Sequence, residues 1–524
     1  MADVAALFRL ARAGFALARA GAFDLFEVEA LPAGPRSVVK GARLLGPRGI
    51  SDGERAERLT VALNHLGPSY VKLGQFLATR ADLIGKEASL VLGRLRDEIA
   101  PFPEGEAREI VARALGRPVE ALFASFSPPV AAASIAQVHK AEVAGGTPRT
   151  VAVKVLRPGV RDRFRRDLET FFAGARLVER VDPASRRLKP VTVVETLARS
   201  VAIEMDLRLE AAALSEMAEL TAGDIGFRVP RVEWELTARD VLTLEWVDGI
   251  KLSDVAKLRA AGHDLPALAR KLMQSFLRQA LRDGFFHADM HEGNFFVDAS
   301  GTIVGIDFGI MGRLGRKERK FLAEILYGFI QRDYRRVAEV HFDAGYVPRV
   351  HTIDDFAQAL RAIGEPIHGQ KASEISMARL LTLLFEVTEI FDMETRPELL
   401  LLQKTMVVVE GVARNLDPDF DMWATSEPVV AEWVERNFGP RGQLEMAAEG
   451  ANALGRLAGE LPRLAERAER LSAEFADMGE RGLRLDPETI EKIGKSEARE
   501  GRWGRIALVV IAVVAVIAGL KLVL

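Results

Sequence analysis

FFHADMHEGNFFVDASGTIVGIDFG, residues 285–309, decides how the rest of this chain is read. It carries His287-x-Asp289, then Asn294 five positions after the aspartate, then Asp307-Phe308-Gly309. The apolar runs Asn294–Val297 and Ile303–Ile306 flank a turn at Asp298–Gly301, which predicts a loop, a hairpin and a second acidic loop. That order can bring Asp289, Asn294 and Asp307 to one end of a small sheet. Their oxygens are hard ligands, suited to Mg²⁺ held against phosphates. A lone aspartate beside a turn means little; the ordered set is a much stronger signal.

Outside this stretch, composition sets limits. A chain of 524 residues is too long for one ordinary core, so two or three domains are expected. Apolar residues make up 48%, enough for a sizeable core. The formal net charge of -3 gives no bulk electrostatic case for nucleic acid. There is no cysteine, which excludes disulfides, thiolate nucleophiles and Cys-ligated zinc. A cytosolic setting is compatible with that but not established by it.

The two ends differ. The first residues mix small apolar side chains with Arg9, Arg12 and Arg19 and lack the uninterrupted apolar run of a secretory signal. They read as an amphipathic helix docked on its own protein, with a membrane-surface helix as the alternative. Ile506–Leu520 has no charge, and at ~1.5 Å per residue it spans ~22 Å, against ~30 Å for a hydrocarbon core. Lys521 can snorkel and lengthen it. Arg499, Arg502, Trp503 and Arg505 precede it and suit a cytoplasmic-side interface. A membrane tail is the expectation and a buried core helix the alternative.

Taken in order, residues 24–60 look like an accessory helical region. In Asn64–Leu83 an apolar helix face can form after Pro68, with Lys72 and Gln75 sharing another face. Ala100–Pro103 is a break, Glu104–Leu115 a helix, and Ser127-Pro128-Pro129 a boundary near which a nucleotide-binding lobe begins. Ala131, Ala132, Ala133 and Ser134 fall in a loop between expected strands. Their small side chains let backbone approach a ligand, without glycine's left-handed freedom. Thr150–Leu156 reads as a strand carrying Lys154, whose charge needs a counter-charge if buried. Ile203–Leu214 reads as one helix, with Glu210 the candidate partner for Lys154 and Glu204 and Asp206 left for a second network; Arg208 offers a surface pair instead. Val229–Trp234 and Asp240–Val247 are strand-like, and backbone around Glu245 and Val247 would form a connector facing adenine in a bilobal nucleotide site. Leu268–Asp283 is a helix leading to His287, and Lys317–Arg332 and the strongly apolar Leu400–Ala413 are helical.

Lys72-x-Gly74-Gln75, Ala131–Ser134, Lys154, Glu204-x-Asp206, Glu210, His287-x-Asp289, Asn294 and Asp307-Phe308-Gly309 together resemble the UbiB/ADCK family of atypical protein-kinase-like proteins over residues 20–430. Lys404–Trp423 and the apolar tail look like the bacterial UbiB branch. The resemblance implies an α+β bilobal kinase-like fold. It would have an N-terminal helical extension (1–110), an N-lobe (111–249), a helical C-lobe (250–430), a charged helical linker (431–505) and a transmembrane anchor (506–524) at a bacterial inner membrane, the catalytic part facing the cytoplasm.

It implies ATP, or ADP, bound with Mg²⁺. Lys154 would contact the phosphates, Glu210 would orient it, Asn294 and Asp307 would hold metal, and Asp289 would occupy the catalytic-base position. Lys72 and Gln75 would fold over the site, with Lys72 approaching Glu204 and Asp206 in a regulatory network. The alanine loop and that cover disfavour ordinary protein phosphorylation. The implied setting is ubiquinone biosynthesis, with membrane lipids, phenolic lipid precursors or other proteins of that pathway as partners, no nucleic acid, and a homodimer left open. Three readings follow: a membrane-associated ATPase, a true protein or lipid kinase, and a nucleotide-switched scaffold.

Overall fold

In the computed structural model, which describes residues 2–25, 33–78 apart from 48, 100–181, 189–368, 397–438 and a few positions within 84–92 and 387–393, helices open the chain. They are α1 (Ala2–Ala20), α2 (Ala33–Arg43), α3 (Asp52–Leu66) and α4 (Pro68–Ala78). A capping box starts α3: Ser51 Oγ accepts the Glu54 N–H, and the Glu54 carboxylate accepts the Ser51 N–H at 2.9 Å. Gly67 ends α3 with φ +112°, where any side chain would also strike the Arg163 guanidinium that donates to the Leu66 carbonyl at 2.8 Å. Pro68 then starts α4, a position where its missing N–H costs nothing. Tyr70 and Val71 are buried, Tyr70 lying edge-on to Phe171 at 5.0 Å.

The next layer is built on α5 (Glu104–Leu115), α6 (Val119–Leu122), β1 (Phe123–Ala132), β2 (Ala136–Val143), β3 (Thr150–Leu156), α7 (Val160–Val181), α8 (Pro190–Glu204), α9 (Leu207–Leu220), β4 (Phe227–Arg228) and β5 (Val241–Glu245). β1, β2, β3 and β5 form an antiparallel sheet in that order. Strand alternation sends Val151, Val153 and Val155 into a core with Ala107, Ile110 and Val111 of α5. Lys154 points the other way. Its register partner Leu242 lies in the core with Leu207, Ala211 and Leu214 of α9, so Lys154 faces that helix.

Four local expectations change here. Ser127-Pro128-Pro129 is no boundary: it lies inside β1, an edge strand with register shifts around Pro129, where a missing N–H is tolerated. Ala131 and Ala132 are still paired with Val138 and Gln137, so the turn is only Ala133–Ile135. Ile203–Leu214 is two helices, because Asp206 caps α9 by accepting the Arg208 N–H at 3.2 Å. Val229–Trp234 also yields no continuous strand. Pro230 cannot donate to a ladder; only the Val232–Leu244 bridge forms, and a tight helical turn follows at Trp234–Leu236.

The larger lobe holds β6 (Ile250–Lys251), α10 (Val255–Ala260), α11 (Leu265–Leu277), a wide helical turn at Arg278–Asp283, β7 (Phe285–His287), β8 (Phe295–Val297), β9 (Ile303–Gly305) and β10 (Met311–Arg313). It continues through α12 (Arg316–Ile330), α13 (Tyr334–Asp343), α14 (Ile353–His368), α15 (Pro397–Leu416) and α16 (Met422–Phe438). Leu268, Leu272, Met273 and Phe276 make one buried stripe of α11, in the same core as Leu402, Val409 and Ala413 of α15. The Trp433 indole donates to the Leu281 carbonyl at 2.8 Å, tying α16 to the turn that feeds β7.

The result is an α+β, two-lobed kinase-like fold with helical additions at both ends. Among the described residues no helix is long and apolar enough to cross a membrane, and residues 506–524, expected as the anchor, lie outside them.

Candidate active site

The hairpin and its flanking pairs explain how the opening stretch converges. β8 and β9 pair antiparallel, and the Ile306 N–H extends the ladder to the Asn294 carbonyl at 3.0 Å. Asn294 is therefore beside Asp307 at the open end of the hairpin. β7 pairs with β10, and the Ala288 N–H reaches the Ile310 carbonyl at 3.0 Å, which brings the segment before Asp289 alongside the segment after Gly309. Asp298 closes the far end as a turn residue, accepting the Ser300 and Thr302 N–H groups.

Within this frame the Asn294 amide nitrogen donates to the Asp289 carbonyl at 3.0 Å. That bond takes up the nitrogen and makes the amide oxygen the atom suited to a cation. Asp307 Oδ1 accepts the Gly309 N–H at 3.0 Å, a clamp on the carboxylate by its own loop. Phe308 is buried, its ring 4.9 Å from His287 and against Gly305, where a Cβ would come within 2.9 Å of it. His287 Nδ1 accepts the Asp289 N–H at 3.1 Å. Burial pushes the His287 pKa below the ordinary histidine value against the pull of Asp289 and Asp307, so the ring is a neutral support at pH 7.

Across from this loop, Lys154 Nζ donates to both Glu210 oxygens at 2.7 and 2.9 Å and to Asp307 Oδ2 at 3.1 Å. One cation thus joins a strand of the smaller lobe, a helix behind it and the Asp-Phe-Gly loop. Burial lowers the Lys154 pKa, and the Asp307 and Glu210 carboxylates more than reverse this, leaving it above the ordinary lysine value. Burial likewise opposes the Asp307 charge, but Lys154 and the Gly309 N–H hold its carboxyl well below the usual range. Glu210 is pushed up by burial, Lys154 working against that and Asp307 with it. With all three ionised the cluster keeps a net negative charge, and it holds hard oxygen donors: the donor set fits Mg²⁺.

The remaining candidates are placed as follows. Lys72 Nζ is 2.6 Å from Glu204 Oε2, both side chains largely buried. Gln75 is half-buried on α4. Asp206 caps α9 and holds Arg208 through 2.9 and 2.7 Å bonds, the surface pair that the sequence allowed. Ser134 is fully buried, whereas Ala131, Ala132 and Ala133 are not. The Glu245 carboxylate is engaged by Arg228 at 3.1 Å and by the Arg231 N–H at 3.2 Å, and Val247 is half-buried after it.

Some supporting residues were missed. Arg157 Nε donates to the Ala133 carbonyl and its Nη1 to the Ala100 carbonyl, each at 2.9 Å. Gln137, fully buried, grips the Phe102 backbone through both amide atoms at 2.9 and 3.2 Å. Thr405 of α15 donates to the Ala288 carbonyl. The partners are distant in sequence, and Thr405 is one of four polar residues in the run Leu400–Ala413, with Gln403, Lys404 and Glu410, so nothing in the sequence singled it out.

Comparison with known proteins meets this geometry. The model of the ABC1 atypical kinase-like domain matches residues 94–341, and that of the UbiB helical domain matches residues 360–421. A Marinobacter nauticus protein described as "Probable protein kinase UbiB" is 41% identical over 396 residues, covering 75% of this chain and 72% of the relative. The chain belongs to the UbiB/ADCK family, in its bacterial UbiB branch. A Xanthomonas oryzae pv. oryzae protein of the same description is 41% identical over 425 residues, covering 79% of this chain and 76% of that one. A solved structure titled as the complex of Rv3197 with erythromycin, from Mycobacterium tuberculosis, is 25% identical with a TM-score of 0.48, covering 71% of this chain and 95% of that one. As a UbiB-family member the chain is an atypical, kinase-like ATP-binding enzyme. Its Lys154, Glu210, Asp289, Asn294 and Asp307 all fall in the kinase-like match, and Thr405 falls in the helical-domain match.

Proposed function

We propose that this UbiB-family protein is a membrane-associated kinase-like ATPase that supports ubiquinone (coenzyme Q) biosynthesis and binds Mg-ATP in an occluded site. The observation that carries the reading is Lys154 shared between Glu210 and Asp307, opposite an Asn294 tied to Asp289. Lys154 orients the α- and β-phosphates and Glu210 keeps it aimed. Asn294 and Asp307 are the residues that would hold magnesium, which supplies positive charge to the phosphate oxygens when bound. Asp289 takes the proton of the attacking hydroxyl or water on its carboxylate. Backbone of the turn after Ala131 and Ala132 covers the phosphates, and the connector at Glu245–Val247 faces the base.

Occlusion is supported by the Lys72–Glu204 pair, which pins α4 to the end of α8, next in sequence to the helix that bears Glu210. Membrane association at a bacterial inner membrane is supported by the uncharged run Ile506–Leu520 with its preceding arginines and tryptophan. The same reading divides the chain near residues 110, 249, 430 and 505. Membrane lipids and phenolic quinone precursors are the partners it proposes.

The description of the two relatives as probable protein kinases favours a second reading, γ-phosphoryl transfer to a protein. One experiment separates them. Full-length protein in liposomes is given γ-labelled ATP with polyprenylphenols or with partner proteins, and phosphate release and transferred label are followed together. Magnesium-dependent phosphate release, increased by membrane or phenol, is the expected result. Label appearing mainly on protein at a comparable rate would establish the second reading, and absence of both would remove the enzymatic one.

A further inference from the structure

The backbone around Asp289 is bonded at nearly every group. The His287 N–H donates to Gln279 Oε1 at 3.2 Å, the Ala288 N–H to Ile310, the Asp289 N–H to His287 Nδ1, and the Asp289 carbonyl accepts from Asn294. Each of these partners belongs to the kinase-like match. The Ala288 carbonyl, immediately before Asp289, is different: its donor is Thr405 Oγ1 at 3.1 Å, 117 residues away on α15. Thr405 is 1% exposed, so water cannot easily stand in for its hydroxyl. The same hydroxyl lies 2.8 Å from the Leu401 carbonyl, within its own helix. One hydrogen serves both acceptors, but the need is unequal, since Leu401 also sits in the helical ladder. A second tie lies further along: Asn415 Nδ2 donates to Glu292 Oε2 at 3.0 Å, in the turn between Asp289 and Asn294. α15 therefore touches the loop before and after Asp289.

We infer that Thr405 is a positioning residue for Asp289, through which the UbiB helical domain sets the angle of the catalytic-base loop. The inference rests on the reading of Asp289 given above. The physical argument is that the peptide joining Ala288 to Asp289 fixes where the Asp289 Cα–Cβ bond starts. Its N–H donates to His287 Nδ1 within the same loop, and its carbonyl is tied to the rest of the fold by Thr405 Oγ1. A small misplacement of a base costs turnover far more than it costs nucleotide affinity.

The test uses full-length protein with Mg-ATP, comparing Thr405→Val, which keeps shape and loses the hydroxyl, with Thr405→Ser, which keeps the hydroxyl. Thr405→Val is expected to lower kcat by roughly 10-fold or more, the scale of an unsatisfied buried carbonyl, with affinity for a fluorescent ATP analogue within about twofold. Thr405→Ser is expected to stay within about twofold of wild type in kcat. Thr405→Ala carries the same expectation as the valine variant if that protein does not accumulate folded. A kcat for Thr405→Val equal to wild type, or a loss in Thr405→Ser as large as in Thr405→Val, would overturn the inference. Amide hydrogen exchange over residues 286–292 without nucleotide supplies a readout independent of activity. Faster exchange in Thr405→Val supports the brace and unchanged exchange refutes it, even if wild type proves inactive and the ATPase reading itself falls.

Discussion

Asp307→Asn is expected to lower magnesium-dependent phosphate release by roughly 10³-fold, the loss seen when a preorganised charge is taken from a transition state. The change is isosteric, and an amide oxygen can still accept the Gly309 N–H now held at 3.0 Å, so the loop keeps its shape. What goes is the charge. Lys154 loses one of its two carboxylates, and the oxygen set loses the member whose carboxyl is held well below the usual range by Lys154 and Gly309 against burial. Stability gives the sign of a second observation. A depressed carboxyl stabilises the fold above its unfolded pKa of about 3.9, and that contribution disappears as pH falls through the folded value. The variant lacks this component, so its urea midpoint should change less than that of wild type on acidification below about pH 4. Phosphate release from Asp307→Asn at the wild-type rate would sink the assignment of the site.

Lys154→Met should damage both activity and fold. Phosphate release is expected to fall by roughly 10²-fold or more, because the cation proposed to meet the phosphates is gone. Stability falls by about 3–5 kcal/mol, the cost of leaving a buried charge without its partner. Glu210, 7% exposed, is that charge, with Asp307 beside the same lysine. In the wild type Glu210 is already raised by burial, and only Lys154 restrains it among the charges named. Without Lys154 it is raised further. A raised carboxyl contributes stability below its unfolded pKa of about 4.3 and loses it as pH rises through the folded value. The variant should therefore be more stable at pH 5 than at pH 7.5, a difference read by urea unfolding at the two pH values. Equal midpoints at both would mean that Glu210 finds another counter-charge.

The Asp289, Asn294 and Asp307 cluster was legible because its geometry is local: two short strands and a turn bring the three together within 25 residues of sequence, Phe285–Gly309. β3 was legible to the residue, since valines in alternation leave few other conformations. The Lys154–Glu210 contact is 56 residues apart and rested on the family pattern rather than on spacing. Where reading failed, a side chain did something that composition does not announce. Asp206 stopped a helix by capping the next one. Pro128 and Pro129 sat within a strand because that strand is an edge. Arg157, Gln137 and Thr405 all donate to main-chain carbonyls, and a carbonyl has no letter in the sequence.

Arg157 reaches further than its contacts imply. It holds the turn at Ala133 to the segment before α5, and Gln137 holds that segment to the sheet. A turn of small residues is thereby fixed from behind, without glycine hinges of its own. A rigid cover over a nucleotide raises the barrier to arrival and departure alike and leaves the equilibrium between them little changed. Nucleotide exchange should accordingly be slow for its affinity. Arg157→Ala should speed both the binding and the release of a fluorescent ADP analogue, by roughly tenfold each for the loss of two bonds to main-chain oxygens, while Kd moves less than threefold. Release that accelerates alone, with Kd rising in step, would mean that Arg157 contributes grip rather than delay. On the proposed reading the turn at Ala133–Ile135 would act as a clock on nucleotide turnover, wound by residues outside the site.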